Sequence, residues 1–212
     1  MTMSSDCRES QFVNQYIVNS EKTVVKDIPV QRLIKIVKIY SVYRKDHEKR
    51  FVERGYDRQK RLLLWHGTKC TNIVGILTNG FKLPDNDKLV FGKGIYFADR
   101  ATKSGQYCDQ QNNGFLLLCE VSSGVMYETE CPKPYTRPPD GYNSIKGVGK
   151  YIPEPNDPVI FGDSIEVPMG ETVENVHKKT SLSQHYGDYN EYVVFNVNRV
   201  LIRFIVHFRW LQ

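Results

Sequence analysis

Three reactive side chains stand where a purely structural pattern leaves them unexplained. His66 closes the apolar run LLLWHGTKC (62–70), in phase with Leu62 and Leu64 and followed at once by Gly67. An imidazole at the end of an inward strand face is either a satisfied core group or a hydrogen-bonding group aimed at a ligand. The glycine beside it lets something approach the backbone closely. Tyr96, in KGIYFAD, shares its strand face with Gly94 and Ala98, which leaves bare space beside a flat ring. Such a ring is packed under a neighbouring strand or serves as a stacking platform for a planar ligand. Glu191 opens EYVVFNV in phase with Val193, Phe195 and Val197. A carboxylate heading an apolar face is an end-of-strand ion pair, or a group in a cleft, where desolvation makes it chemically useful.

The elements that must position these residues follow from periodicity. QRLIKIVKIYSVY (31–43), RLLLWH (61–66), GIYFA (94–98), GFLLLCEV (114–121), EYVVFNV (191–197) and VLIRFIVHFRW (200–210) read as strands, and PVIFGDSIEVP (158–168) as a hairpin about Gly162-Asp163. RKDHEKRFVERGYD (44–57) predicts a short helix ending near Gly55, and TNIVGILTNG (71–80) a helix burying Ile73, Ile76 and Leu77 with Gly80 as its stop. Gly75 inside that helix costs about 1 kcal/mol relative to Ala, a cost explained by close approach of a ligand or another backbone. DRATKSGQYC (99–108) predicts a short helix with Asp99 as N-cap. On it Lys103 and Ser104 lie four and three residues before Tyr107, so the three cluster just beyond the Tyr96 strand. Residues 1–30 read as a loose polar leader, and Tyr127 to Pro158, rich in Pro and Gly, as a long functional loop. Seven or eight strands, few short helices and no βαβ alternation predict an α+β domain with largely antiparallel sheets.

Composition narrows the function. Hydrophobic residues at 40% and charged residues at 25% of 212 describe an ordinary globular chain. No apolar stretch approaches 18 residues, and the N-terminus lacks the apolar centre of a secretory signal. No membrane role is expected, and residence is expected to be nuclear or cytoplasmic rather than secreted. Five scattered cysteines with no CxxC pair, and five histidines without ligand spacing, predict neither a disulfide framework nor a metal site. The net charge of +5 concentrates between Arg32 and Arg61, where eleven Lys or Arg face four Asp or Glu. That run is a solvated surface or a polyanion-binding one. No GxGxxG or GxxxxGK[ST] is present, which argues against a nicotinamide dehydrogenase or a P-loop enzyme.

Taken together, LLLWHGTKCTNIVGILTNGF, FGKGIYFADRATKSGQYC, SIKGVGK and YNEYVVFN resemble in order and spacing the catalytic domain of the poly(ADP-ribose) polymerases, from about Leu33 to Trp210. The resemblance implies the ADP-ribosyltransferase fold over residues 31–212, two packed β-sheets around a cleft that binds NAD+ as co-substrate. It implies that His66 hydrogen-bonds the adenine-side ribose, that the Gly67 backbone and Ser104 bind the nicotinamide carboxamide, and that Tyr96 and Tyr107 enclose the nicotinamide ring. Thr68, Asn72, Gly75 and Lys82 fall where the family contacts the ADP portion. Glu191 is implied as the catalytic carboxylate, with Lys103 assisting beside it.

His66, Tyr96 and Glu191 reproduce the His-Tyr-Glu set associated with chain-forming members. The expected activity is therefore NAD+-dependent protein ADP-ribosylation, building polymer on protein acceptors that include the enzyme itself. Single-unit transfer, plain NAD+ hydrolysis and a non-catalytic NAD- or ADP-ribose-binding module are the alternatives, and the basic run leaves a nucleic-acid acceptor open. The chain departs from the family pattern at Thr68, where serine is common, at Lys82, where arginine is common, and at Val90, where methionine is often found beside the acceptor site. KLPDNDKLVF (82–91) is shorter than in DNA-dependent members, whereas Tyr189 retains the acceptor-side aromatic. Fewer than 35 residues precede the first catalytic strand. Read as a whole protein, the chain has no helical regulatory subdomain and is expected to reach NAD+ without DNA-triggered activation.

Overall fold

The computed structural model describes residues 2–4, 7–23, 25, 32–85, 89–109, 113–155, 159–176 and 187–211. The chain begins not with a loose leader but with α1, Arg8–Glu21. Val13, Tyr16, Ile17 and Ser20 recur at helical spacing and are buried, so a polar segment carries one narrow apolar stripe. That stripe lies on the central sheet: the Tyr16 hydroxyl donates to the Leu63 carbonyl at 3.1 Å, and its ring sits 5.1 Å from that of Trp65. Positions 26–30 of the expected leader lie outside the described residues.

Beyond α1 come β1 (Ile34–Ser41), α2 (Lys45–Glu53), β2 (Arg61–Gly67), α3 (Cys70–Asn79), β3 (Ile95–Phe97) and α4 (Ala101–Gly105). They are followed by β4 (Asn113–Ser122), β5 (Met126–Thr129), β6 (Ser144–Gly147), β7 (Tyr151–Pro153), β8 (Val159–Phe161), β9 (Ile165–Val167), β10 (Thr172–Glu174), β11 (Glu191–Val194) and β12 (Val200–Trp210). One sheet runs β1-β12-β4-β2-β9-β8, a second runs β3-β11-β6-β5, and β7 pairs with β10. Pairing is antiparallel except for β2 with β9 and β5 with β6, so the architecture is α+β with two principal sheets. Gly55 and Gly162 take left-handed backbone, at φ 67° and 60°, where α2 ends and where β8 turns into β9.

Two further expectations are corrected. The stretch from Tyr127 onward is not one long loop, because β5, β6 and β7 lie largely within it. These strands have three or four residues each, and β5 pairs in parallel with β6 across fourteen intervening residues, so no local hairpin signal marks them. Pro158, the far end of that stretch, lies outside the described residues. Asp99 does not cap α4 either: Arg100 occupies the cap position without a side-chain bond, and Asp99 is buried. A carboxylate just before a helix reads as a cap in sequence, but here tertiary donors compete for it more strongly.

The core divides along the large sheet. One side gathers Trp65, Leu116, Leu118, Phe204, Val206 and Phe208 beneath α1. The other gathers Leu62, Leu64, Ile73, Phe97, Leu117 and Val194, and this second layer joins the two sheets and carries α3. All five cysteines are free. Among the described residues no helix is long and apolar enough to cross a membrane.

Candidate active site

The cleft opens where β2 stops. Gly67 ends that strand because a β-carbon there would lie 1.7 Å from the Ser104 carbonyl oxygen. The missing side chain is what lets α4 dock on β2, a contact fastened by the Ser104 hydroxyl donating to the Trp65 carbonyl at 2.9 Å. The close approach expected at Gly67 is thus made by the protein's own backbone. Gly75 is the reverse case: nothing lies within 4 Å of a β-carbon built there, so its bareness faces open cleft.

His66 Nδ1 lies 2.8 Å from the Tyr96 carbonyl oxygen. A carbonyl can only accept, so Nδ1 carries the proton and Nε2 keeps an acceptor lone pair. Phe81 meets the imidazole edge-on at 5.0 Å, and Phe97 lies at 5.6 Å. Burial among these rings holds the His66 pKa below its ordinary value, against a smaller upward pull from the Tyr96 carbonyl.

Tyr96 stands on β3, opposite Val193 of β11. Its hydroxyl donates to the Gly92 carbonyl at 2.8 Å and accepts from the Phe91 amide at 2.9 Å. The ring is therefore fixed from its polar end, and its face is what the cleft receives. Gly94, expected only to clear space for that ring, also admits Val193, whose Cγ1 would lie 2.2 Å from a β-carbon at this position.

Glu191 is the first residue of β11 and is almost wholly buried. Lys103 Nζ lies 2.9 Å from its Oε1 and donates to the Tyr107 hydroxyl at 3.3 Å. Burial opposes the Lys103 charge, yet the Glu191 carboxylate and the Tyr107 hydroxyl together outweigh it and hold the ammonium above the ordinary lysine pKa. Thr68 Oγ1 accepts from Asn72 Nδ2 at 3.0 Å at the start of α3, and Lys82 stands exposed at the rim.

A cavity of about 660 Å³ unites these groups. His66, Gly67, Thr68, Asn72, Gly75, Lys82, Tyr96, Lys103, Ser104, Tyr107 and Glu191 all line it, with Ile76, Leu83, Leu89 and Val90 as apolar wall. The arrangement offers a flat aromatic wall, a neutral imidazole acceptor and a desolvated carboxylate held by one cation. It suits a ligand with a planar ring and a hydroxylated centre at which positive charge develops. Among the described residues no group of three or more His, Cys, Asp or Glu is arranged to hold a metal ion.

Sequence reasoning missed what holds Glu191 in place. Asp99 Oδ2 accepts from Asn190 Nδ2 at 2.7 Å and from the Tyr192 hydroxyl at 3.1 Å, while Asn190 Oδ1 accepts from the Gly149 amide at 2.9 Å. The residues flanking Glu191 are thereby tied to the chain just before α4, which carries Lys103. Burial raises the Asp99 pKa, partly offset by neighbouring Arg100. Asn190 beside Glu191 was the available signal, but its partner lies 91 residues away.

A second cavity, of about 830 Å³, lies behind β11 and is lined by Asn190 and Tyr192. Three of its carboxylates, Glu128, Glu166 and Glu171, are matched by Lys146, Lys60 and Lys22. It is larger, but it gathers none of His66, Tyr96, Lys103 and Glu191, which all line the smaller cleft.

A family model described as the poly(ADP-ribose) polymerase catalytic domain matches residues 8–210. Poly [ADP-ribose] polymerase of Drosophila melanogaster is 35% identical over 213 residues, covering 97% of this chain and 20% of that protein. Poly [ADP-ribose] polymerase 1 of Oryza sativa subsp. japonica is 32% identical, covering 97% and 21%. Poly [ADP-ribose] polymerase 2 of Arabidopsis thaliana is 34% identical, covering 98% and 32%. The chain thus spans about a fifth to a third of the length of these relatives.

Proposed function

The chain belongs to the poly(ADP-ribose) polymerase catalytic-domain family, and from that membership we propose that its cleft binds NAD+ and transfers ADP-ribose to an acceptor with release of nicotinamide. One observation carries the reading: the Lys103–Glu191 ion pair, 2.9 Å across, lines the same cleft as the ring of Tyr96. Nicotinamide stacks on Tyr96, with Tyr107 on its other side, and its carboxamide meets the Gly67 backbone and the Ser104 hydroxyl. The Nε2 lone pair of His66 accepts from a hydroxyl of the adenine-side ribose. Thr68, Asn72, Gly75 and Lys82 line the path of the ADP portion.

In the transfer the bond from the anomeric carbon to the nicotinamide nitrogen breaks, and its electron pair leaves with the ring, which becomes neutral. Positive charge develops on the ribose. Glu191, bonded to the 2′-hydroxyl, stabilises that charge and polarises the incoming acceptor hydroxyl, whose proton passes to solvent water as the new carbon–oxygen bond forms. Lys103 fixes the orientation of the carboxylate. Acceptors are side chains of other proteins or of the enzyme itself, and repeated transfer builds a chain.

The test is incubation with labelled NAD+ beside Glu191→Gln, with products resolved by gel and mass spectrometry. We expect a ladder from the wild type, and its loss by a factor on the order of 10²–10³ in the variant. A single added unit from the wild type would limit the reading to one-step transfer, an outcome favoured by Val90 at the cleft wall. Full activity in the variant would remove Glu191 from its role.

A further inference from the structure

The basic run from Arg32 to Arg61 divides once folded. On α2 and at the start of β2 many of the cations are matched: Arg44 and Arg50 reach Asp46, Lys49 reaches Glu53, Lys60 reaches Glu166, and Arg61 reaches Glu120. On β1 they are not. The register sets Lys35 opposite Arg209 and Lys38 opposite His207, so four basic side chains stand in a two-by-two block on one face of the large sheet. Lys35, Lys38 and Arg209 are exposed, and among the described residues none of them forms an ion pair with a carboxylate. Like charges directly opposite each other destabilise a strand pair. Asn113 relieves the block, its Oδ1 lying 3.2 Å from both Arg209 Nε and His207 Nε2.

Aromatic rings interleave with these charges. His207 lies flat on Phe115, 4.9 Å between centroids at 21°, and Lys38 Nζ stands 5.7 Å from the centre of the Tyr40 ring. The face also adjoins the cleft. Tyr40 pairs with Ile205, Ile205 with Leu117, and Leu117 with His66, so one cross-strand row joins them. Three strand spacings put Tyr40 about 14 Å from His66.

We propose that this face binds single-stranded nucleic acid. Unmatched cations meet its phosphates, and the Phe115–His207 stack and Tyr40 offer π-surfaces to unpaired bases, the combination by which proteins hold single strands without reading sequence. A duplex keeps the faces of its bases stacked on one another, whereas a single strand can present them to these rings, which favours the single strand over the duplex.

The test is fluorescence anisotropy with a labelled oligothymidylate of about 20 nucleotides, a length that spans at least one typical site. It is run without NAD+, so its result is independent of the transferase reading. Binding is followed from about 50 to 200 mM salt, for the wild type and for K35Q/K38Q/R209Q. We expect the triple variant to bind at least tenfold more weakly at low salt, with its log–log salt slope smaller by about 2. K49Q/R50Q/K60Q, which loses equal charge from matched positions, should bind like the wild type, and thermal melts verify that both variants fold. Equal binding by the wild type and K35Q/K38Q/R209Q would overturn the proposal. So would tighter binding of a duplex of the same length, or displacement of the oligonucleotide by ADP-ribose polymer at lower phosphate concentration, which would give the face to that polymer.

Discussion

At the scale of single residues, the cleft is governed by which atoms are already engaged. His66 donates from Nδ1 to the Tyr96 carbonyl, so only Nε2 is left for a ligand, and only as an acceptor while the ring is neutral. Its lowered pKa keeps the ring neutral in the folded protein. The unfolded chain takes up the proton first, so the stability from neutral His66 is present above pH about 6.5 and is lost as pH falls through the lower folded value. The same protonation turns Nε2 from acceptor to donor. The KM for NAD+ should therefore rise on the acid side in the wild type, and His66→Gln should lack that limb while showing a higher KM throughout. An acid limb surviving in the variant would assign it to another group. Gly75→Ala is a complementary case. Its β-carbon meets nothing and alanine is the better helix former, so the melting temperature should rise with a gain of up to about 1 kcal/mol. Yet the methyl enters the cleft, so the KM for NAD+ should rise as well. An unchanged KM would mean that ligand does not approach α3 at this point.

At the scale of elements, β11 and α4 must keep a fixed distance for Lys103 to meet Glu191, and Asp99 is the link that enforces it. Asp99→Ala would leave the donors of Asn190 and Tyr192 unpaired and Arg100 without its buried counter-charge. A loss on the order of 3–5 kcal/mol is expected, with kcat falling more than KM rises. Asp99→Asn keeps an acceptor oxygen and should be milder on both counts. Equal effects of the two variants in melts and steady-state kinetics would refute the link. This arrangement also accounts for what the sequence could convey. His66, Tyr96 and Glu191 were legible because each sits at a strand end or beside small residues, where local pattern and chemistry disagree. Asp99 was not, because its partners lie on a strand distant in sequence and its own neighbourhood looks like an ordinary helix start. The parallel β5–β6 pair was hidden for the same reason: its pairing is set by the neighbouring β11, not by a turn.

At the scale of the whole molecule, α1 belongs to the catalytic body. Val13, Tyr16 and Ile17 are buried against Leu63 and Trp65 on β2, the strand that ends in His66. The stripe was missed because polar residues outnumber apolar ones along the helix. Each of these three side chains contributes about 1.5–3 kcal/mol by burial. A chain starting after Glu21 should therefore melt on the order of 10–20 °C lower or fail to fold, as circular dichroism would show. A melt unchanged by truncation would make α1 an appendage. Two of the glycines that line the cleft, finally, bear on how such an enzyme can diverge. At the inner end Gly67 has the Ser104 carbonyl where any side chain would begin, so heritable change there destroys the protein before it alters preference. At the outer end, around Gly75 and Lys82, space is open, and substitutions can accumulate without cost to the fold. Descendants of this chain would be expected to keep their grip on the reacting end of the substrate while exploring new ways of holding its other end.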